Sequence, residues 1–450
     1  MNIYYDRLTD MNQLKRELGI FDATMLGLGS IVGTGIFVSV AIATASAGSW
    51  VLLAILLASL VAICNGLSSA QLAANHPVSG GTYEYAHRWL NPTIGFVAGW
   101  MFLTAKAASA ATAALGFAGY ALALFSDSVA AESSGLLTLL LAWAALFGLT
   151  VVSLTGIKRS AGVNTVLVSI TFGALLLFVA VGVFDGLFGS AKVVESEALS
   201  PVGVGWRGIF EATALMFVAY TGYGRVATLG EEVKSPRVTI PRAIITTLLC
   251  TMVLYLAVTA VGVSTVGADA FAAAATGGEA PLKMVAEHFS AQWMPTVIGI
   301  GATVALLGVL FNLVLGLSRV ALALGRRGDI PSAFSTVSST SGSPVGATLL
   351  VAGIIALLIS LGSVRMTWSI SAFTVLVYYG ITNACAIRLA PEERLYHTWP
   401  SWIGLMACLG LAFCVAPKVW LMGCGWIAVG LLYRFIWRSR FQQVQRSDDL

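Results

Sequence analysis

Apolar residues run in long stretches along this chain, and polar residues gather in the short segments between them. The apolar stretches are continuous and roughly twenty residues long, which suits helices that cross a bilayer. They do not alternate residue by residue, as the strands of a membrane barrel do. The pattern predicts an all-α polytopic membrane protein with twelve transmembrane helices, numbered as spans 1 to 12. We place them at residues 21–46, 48–72, 92–121, 135–155, 162–184, 208–230, 241–265, 294–324, 345–361, 366–387, 399–416 and 418–437.

The composition agrees with this pattern. Hydrophobic residues fill 58% of the 450 positions and charged residues only 10%, whereas soluble domains contain roughly 25% charged residues. Connections between spans are short, so we expect a single transmembrane domain over residues 1–450. The longest connection contains APLKMVAEHF, which predicts a short surface helix. The net charge of +4 comes from residues spread along the chain, which argues against nucleic-acid binding.

Lys and Arg residues are concentrated in every second connection. Most of the 25 fall in the two terminal segments and in the connections that follow even-numbered spans. The positive-inside rule then places both termini in the cytoplasm. We therefore expect a multi-pass protein of the cell membrane, inner or plasma.

Two spans contain clustered glycines at mid-membrane. Span 1 reads LGLGSIVGTGIF, with glycines at Gly27, Gly29, Gly33 and Gly35, and span 6 carries Gly222 and Gly224. Each interior glycine weakens a helix by about 1 kcal/mol relative to alanine. Broken backbone at this depth is tolerated only where it is covered by protein or lines a cavity. Close helix packing is an alternative explanation for each cluster; its recurrence five spans later favours a cavity.

The two breaks occupy the same place in consecutive groups of five spans. Because five is odd, the second group starts on the opposite side of the membrane, as in inverted-repeat transporters. We expect repeat 1 over about 21–184, repeat 2 over about 208–387 and two extra helices over about 399–437. The half-helix after Gly33 would point free N–H groups at the midplane, where they can hold a carboxylate. Carbonyls ending the opposite half-helices can hold an ammonium, so a zwitterionic amino acid fits both.

Four segments resemble the amino acid–polyamine–organocation (APC) superfamily. They are GSIVGTGIF, HPVSGGTYEYAHRWLNPTIGFVAGW, FVAYTGYGRVATLGEEVKSPRVTIPRAI and SRVALALGRRGDIP, in the family's order between residues 26 and 331. The third segment is most similar to the cationic amino acid transporter branch. The resemblance implies a LeuT-like fold, with two inverted five-helix repeats plus two helices and with spans 1 and 6 broken. It also implies amino acid transport by alternating access.

The resemblance assigns substrate-binding positions as well. In span 1, the N–H groups of Thr34 and Gly35 fall where the family binds the α-carboxylate, and the Ile31 carbonyl where it receives the α-amino group. Span 6 is expected to add further carbonyls and break residues, namely Val218, Ala219, Tyr220, Thr221 and Gly222.

A gate is expected beside these positions. Several relatives carry a gating aromatic at the position of Val218, so Phe217 or Tyr220 is expected to serve instead. Arg225 and Glu231 are expected either to form ion pairs at a cytoplasmic gate or to lie in a solvated loop.

Lys106 lies in span 3, about 20 Å along a helix that starts at Pro92. An ionisable residue near mid-bilayer is a functional candidate by default. It is either a proton-titrating or fixed cation beside the cavity, or a side chain that snorkels to a wet vestibule. Ser109, one turn further, is expected to face the cavity. Asn312 in span 8 is either a cavity residue or an interhelical hydrogen-bond partner.

No Asp or Glu is predicted at mid-membrane, although a dibasic substrate needs an acidic partner for its side chain. We therefore expect transport of neutral amino acids. The alternative is a transporter of cationic amino acids or of other amines, such as a polyamine or ethanolamine. Relatives that use protons often carry a Lys in span 5 that takes the place of a sodium ion, and span 5 has no Lys here. Span 8 lacks paired hydroxyls at mid-depth, which argues against a sodium site built from oxygen ligands. Proton coupling or exchange is expected, without a metal or a cofactor.

Other classes of protein fit less well. A membrane enzyme needs clustered His, Asp or Cys at one depth, but the four histidines are scattered and the six cysteines form no CxxC pair. A transport-dead amino acid sensor is the alternative from another class; it predicts a large cytoplasmic tail, and only a short tail follows span 12. The sequence leaves open the exact substrate, the coupling ion, the direction of transport, the oligomeric state and the gating aromatic.

Overall fold

The computed structural model describes residues 18–77, 80–125, 134–154, 161–188, 205–227, 233–276, 280–338 and 343–448. Within these ranges the chain is helical apart from short connections, and a single isolated bridge pairs Leu18 with Val233. Eight helical stretches in the same ranges are long and apolar enough to cross a membrane. The predicted all-α polytopic membrane fold is confirmed.

Helical segments occupy all twelve predicted positions. Ten spans are single helices: Val51–Asn75, Pro92–Phe125, Ser134–Leu154, Ala161–Phe188, Pro236–Val266, Met294–Arg326, Val345–Ile359, Val364–Ile387, Trp399–Cys414 and Pro417–Asp448. Span 1 is divided into Ile20–Ile31, a π-helical turn at Gly35–Ser39, and Val40–Ala47. Span 6 is divided into Trp206–Tyr220, a 3-10 turn at Thr221–Tyr223, and Gly224–Ala227. Both breaks therefore lie where the glycines predicted them.

Short helices cover the connections: Gly48–Trp50, Thr82–Trp89, Ala268–Thr276, Pro281–Ala286, Ser332–Phe334 and Pro391–Glu393. The helix expected in APLKMVAEHF forms at Pro281–Ala286. Its Leu282 and Val285 are fully buried, so it packs onto the bundle instead of lying on its surface. Span 12 continues beyond its predicted end, to Asp448.

Span 3 lies in the middle of the bundle. Alanines on several of its faces are fully buried, among them Ala105, Ala108 and Ala111. Within a bilayer the hydrophobic effect does not drive helices together, so association depends on close packing, which small side chains allow. Span 3 packs in this way along spans 8 and 10. Large apolar residues stay exposed on spans 4 and 12, such as Leu136 and Phe435. These faces suit contact with lipid, while spans 1 and 6 pack against each other at their breaks.

Charged and aromatic side chains tie the connections together at the end of the bundle where span 1 begins. Asp329 is buried; it accepts a hydrogen bond from the Tyr83 hydroxyl at 2.8 Å and lies 3.6 Å from Arg434 Nε. Burial, reinforced by the Asp329 carboxylate, raises the pKa of Tyr83. Arg327 pairs with Glu84, and that hydrogen-bonded pairing raises the pKa of Arg327. The helix after span 2, the loop after span 8 and span 12 are thereby joined.

Candidate functional site

Span 1 supplies a helix N-terminus at the place where the two broken spans meet. Its first half ends before Val32, whose backbone is extended, with φ −79° and ψ 98°. Its second half starts after Gly33, whose carbonyl accepts from the N–H group of Ile36 at 3.1 Å. Thr34 and Gly35 therefore occupy the first turn, where N–H groups have no intrahelical acceptor. These groups carry the partial positive charge of a helix N-terminus.

The Thr34 side chain adds a buried hydroxyl to this N-terminus. Thr34 is 3% exposed, and its Oγ1 has no hydrogen-bond partner within the part of the chain that the structure describes. Leaving a buried hydroxyl unpaired carries a penalty of about 1–3 kcal/mol. The hydroxyl and the first-turn N–H groups together form a donor set that an anion can satisfy.

Span 6 supplies a helix C-terminus opposite this donor set. Both the N–H group and the hydroxyl of Thr221 donate to the carbonyl of Val218, the hydroxyl at 2.7 Å. From span 10, the Tyr379 hydroxyl donates to the Thr221 carbonyl at 3.3 Å. Carbonyls at a helix C-terminus carry partial negative charge. This side of the break therefore has the chemistry to hold a cation.

Glycines let the two breaks approach each other. A Cβ atom at Gly222 would lie 2.5 Å from Cγ1 of Ile31. A Cβ atom at Gly35 would lie 2.9 Å from Cβ of Ala219 and would overlap the Tyr255 hydroxyl. Real side chains do not make such contacts, so a substitution at either glycine forces the spans apart. Gly35 and Gly222 serve close packing as well as the breaks.

Tyr255 of span 7 joins the two breaks, and the sequence analysis did not single it out. Its fully buried hydroxyl lies 3.1 Å from the Ile31 carbonyl and 3.2 Å from the Ala219 carbonyl. A phenol has one proton, so it either shares that proton between the two acceptors or donates to one at a time. Both carbonyls are among those that the sequence assigned to an ammonium group. Nothing in span 7 itself marks this tyrosine, because its partners come from two other spans.

Lys106 reaches the same place from span 3. Its Nζ donates to Thr221 Oγ1 over 2.9 Å, so the ammonium lies at the break of span 6. Its neighbours Ala105 and Ala107 are buried, whereas Lys106 is half-buried. The lysine side chain therefore reaches from span 3 to span 6, with its ammonium at the depth of the break.

Ser109 and Asn312 lie in different surroundings. The Ser109 hydroxyl is 2.8 Å from that of Ser371, so it faces span 10. Asn312 lines a small, partly open pocket bounded by spans 1, 5 and 8, together with Gly29 and Thr171. Ser109 therefore faces span 10, whereas Asn312 faces spans 1 and 5.

The expected gating residues also point in different directions. Phe217 is buried and meets the Tyr379 ring edge to face, with centroids 5.7 Å apart. Tyr220 is buried between spans 2 and 7, because its hydroxyl and ring contact those two helices. Arg225 is exposed near the end of span 6, and Glu231 lies outside the described residues.

The geometry suits a zwitterionic ligand. Free N–H groups and a hydroxyl lie on the span 1 side, and helix-ending carbonyls lie on the span 6 side. A carboxylate fits the first set and an ammonium the second. Among the described residues, no cluster of three or more His, Cys, Asp or Glu side chains could hold a metal ion.

Comparison with known proteins covers both breaks. A sequence model described as amino acid permease matches residues 18–429. An uncharacterized transporter of Mycobacterium tuberculosis is 36% identical over 97% of this chain and 95% of its own length. The branched-chain amino acid permease BcaP of Bacillus subtilis is 29% identical over 77% of this chain and 75% of its own length. The chloroplastic cationic amino acid transporter 9 of Arabidopsis thaliana is 28% identical over 95% of this chain and 75% of its own length.

Proposed function

The chain belongs to the amino acid permease family, and from that membership we propose a secondary transporter of neutral amino acids in the plasma membrane. Both termini lie in the cytoplasm. Substrate binds between the breaks of spans 1 and 6, and repeat 1 (about 21–184) rocks against repeat 2 (about 208–387) to expose the site alternately to each side. Net transport is coupled to protons, and exchange of one substrate for another proceeds without them.

The unpaired Thr34 hydroxyl is the single observation that carries this proposal. It lies beside the first-turn N–H groups of Thr34 and Gly35, so an α-carboxylate would satisfy several buried donors at once. The carbonyls of Ile31 and Ala219 then receive the α-ammonium. The Val218 carbonyl, which already accepts two hydrogen bonds from Thr221, and the Thr221 carbonyl add partial negative charge nearby. A neutral side chain suits the site, since the segments that form the two breaks, residues 31–35 and 218–224, contain no Asp or Glu.

Lys106 supplies the coupling proton in this scheme. Its ammonium donates to Thr221 Oγ1 at the break, so a change in its charge acts directly on span 6. Phe217 is better placed than Tyr220 to gate the site, because it contacts Tyr379, which itself holds the Thr221 carbonyl. Arg225 and Glu231 belong to the cytoplasmic gate.

The proposal is tested with the methyl esters of transported amino acids. An ester has no charged carboxylate for the span 1 donors, so it should compete with the free acid at least about 100-fold more weakly. That factor corresponds to losing one or two charge-assisted hydrogen bonds. The measurement is competition for uptake of labelled amino acids into proteoliposomes. Equal competition by ester and acid would indicate an amine transporter that does not recognise the carboxylate.

Removing the Tyr255 hydroxyl should raise substrate affinity. Without substrate, this hydroxyl donates to the Ile31 and Ala219 carbonyls that the α-ammonium is proposed to use. In Tyr255→Phe the substrate no longer competes with it, so affinity should rise about fivefold, the value of one net hydrogen bond. The substrate-free protein should at the same time melt at a lower temperature.

Tyr120→Phe is the matched control for this substitution. Its hydroxyl is also buried and donates to a span 1 carbonyl, that of Phe37 at 2.9 Å, on the far side of the break. It should lower thermal stability without changing affinity. Weaker substrate binding by Tyr255→Phe would show that the hydroxyl contacts the substrate instead of standing in for it.

A further inference from the structure

The Lys106 ammonium lies at the break of span 6 with hydroxyl and carbonyl groups around it. Its Nζ donates to Thr221 Oγ1 at 2.9 Å, and that oxygen donates onward to the Val218 carbonyl at 2.7 Å. One turn along span 3, the Ser109 hydroxyl is paired with Ser371. A hydroxyl oxygen is a good acceptor but carries no net charge, so it leaves the positive charge of the lysine uncompensated.

No carboxylate compensates this charge within the described ranges of the chain. Ion pairs seen there include those of Arg88 with Glu393, Lys283 with Glu287, Arg327 with Glu84, Arg365 with Glu211, and Arg434 with Asp329, and none of them involves Lys106. All of these pairs lie in connections or near the ends of spans. Any side chain at Gly224 would crowd the break, because a Cβ atom there would lie 2.8 Å from the Tyr379 hydroxyl.

The site consequently has one place for a positive charge. The carbonyls of Ile31 and Ala219, now bonded to Tyr255, suit a single ammonium. The first turn of the half-helix at Thr34 adds positive potential. A substrate with a second cationic group would bring it towards the break of span 6, where the Lys106 ammonium already lies.

We infer that Lys106 is the charge-selectivity residue of this transporter and that it excludes amino acids with cationic side chains. This inference rests on the proposed amino acid site. Two unit charges about 6 Å apart, at the effective dielectric constant of about 20 that suits protein sites, change binding by about 100-fold. Amino acids with neutral side chains escape this repulsion, and those with acidic side chains are attracted.

The test uses pairs of ligands that share a shape and differ only in charge. Lysine is compared with 2-aminoheptanoic acid, and 2,4-diaminobutyric acid with norvaline, so that a long and a short side chain are both covered. Competition is measured at pH 7 as exchange of a labelled neutral amino acid into proteoliposomes preloaded with the same unlabelled amino acid. Wild-type protein should prefer the uncharged member of at least one pair by about 100-fold.

Substitutions at Lys106 then assign this preference to one residue. Lys106→Met keeps the length of the side chain and should reduce the preference to within a few-fold of unity; Lys106→Gln provides a second neutral variant. Lys106→Glu should reverse it. Lys418→Met, at an exposed lysine in the first turn of span 12, should leave it unchanged.

The outcomes separate this inference from the proposed function. Equal competition by charged and uncharged members in wild-type protein overturns the selectivity role, and so does a 100-fold preference that persists in both neutral variants. If no amino acid of either kind competes while another amine does, the proposed function fails instead.

Discussion

Replacing Gly35 with leucine should abolish substrate binding while the protein remains folded in detergent. Even a Cβ atom added at this position would lie 2.9 Å from Cβ of Ala219 and would overlap the Tyr255 hydroxyl. The larger side chain would fill the space between the breaks and block the approach of a carboxylate to the first-turn N–H groups. Affinity should fall by about 100-fold or more, in line with the upper range for overpacked sites. Isothermal titration and ligand-induced thermal shift both measure this loss.

Two further variants separate a blocked site from a misfolded protein. Gly353→Leu makes the same change in span 9, where an added Cβ atom meets no other atom within 4 Å, and should bind normally. Gly35→Ala combined with Tyr255→Phe removes the hydroxyl that the new methyl group would strike, so it should recover part of the binding that Gly35→Ala alone loses. Normal affinity in Gly35→Leu would remove the span 1 break from the proposed site.

The fold was predictable because each of its main features depends on a short, continuous segment of the sequence. A bilayer requires every span to satisfy its own backbone, so each span appears as an apolar run of fixed length. A break in that backbone needs residues that tolerate it, and the glycines near Gly33 and Gly222 mark both places. The same locality made the short helix at Pro281–Ala286 predictable. Its burial was not, because that depends on contacts with distant spans, such as the hydrogen bond from the Leu282 N–H group to the Tyr120 hydroxyl.

The contacts of the site depend on how spans are placed around each other, which periodicity does not encode. Lys106 was recognisable from its depth alone, yet its partner Thr221 lies in another span. Tyr255 carries no local signal, although it touches both breaks. Tyr220 and Phe217 are separated by less than one helical turn, and only the packed structure shows that Tyr220 faces spans 2 and 7 while Phe217 faces Tyr379.

Lys106→Met should eliminate proton-driven accumulation and the pH dependence of uptake together. Methionine keeps the length of the side chain but can neither carry a proton nor hold Thr221 Oγ1 by a charged donor. In wild-type protein, uptake should fall as the external pH rises, because fewer copies of Lys106 are loaded with a proton from that side. With one proton moved per substrate, a gradient of one pH unit sustains about tenfold accumulation, and the variant should show none. Accumulation is measured in proteoliposomes at several external pH values.

Exchange of internal for external substrate distinguishes lost coupling from a lost site. Exchange moves no net proton, so Lys106→Met should retain it, at a rate that does not vary with pH. Lys418→Met removes a charge from the exposed first turn of span 12 and should keep the wild-type accumulation and pH profile. An unchanged pH profile in Lys106→Met would refute the coupling role and leave this lysine a fixed charge that acts on selectivity alone. Loss of both accumulation and exchange in a folded variant would instead place Lys106 among the groups that bind the substrate.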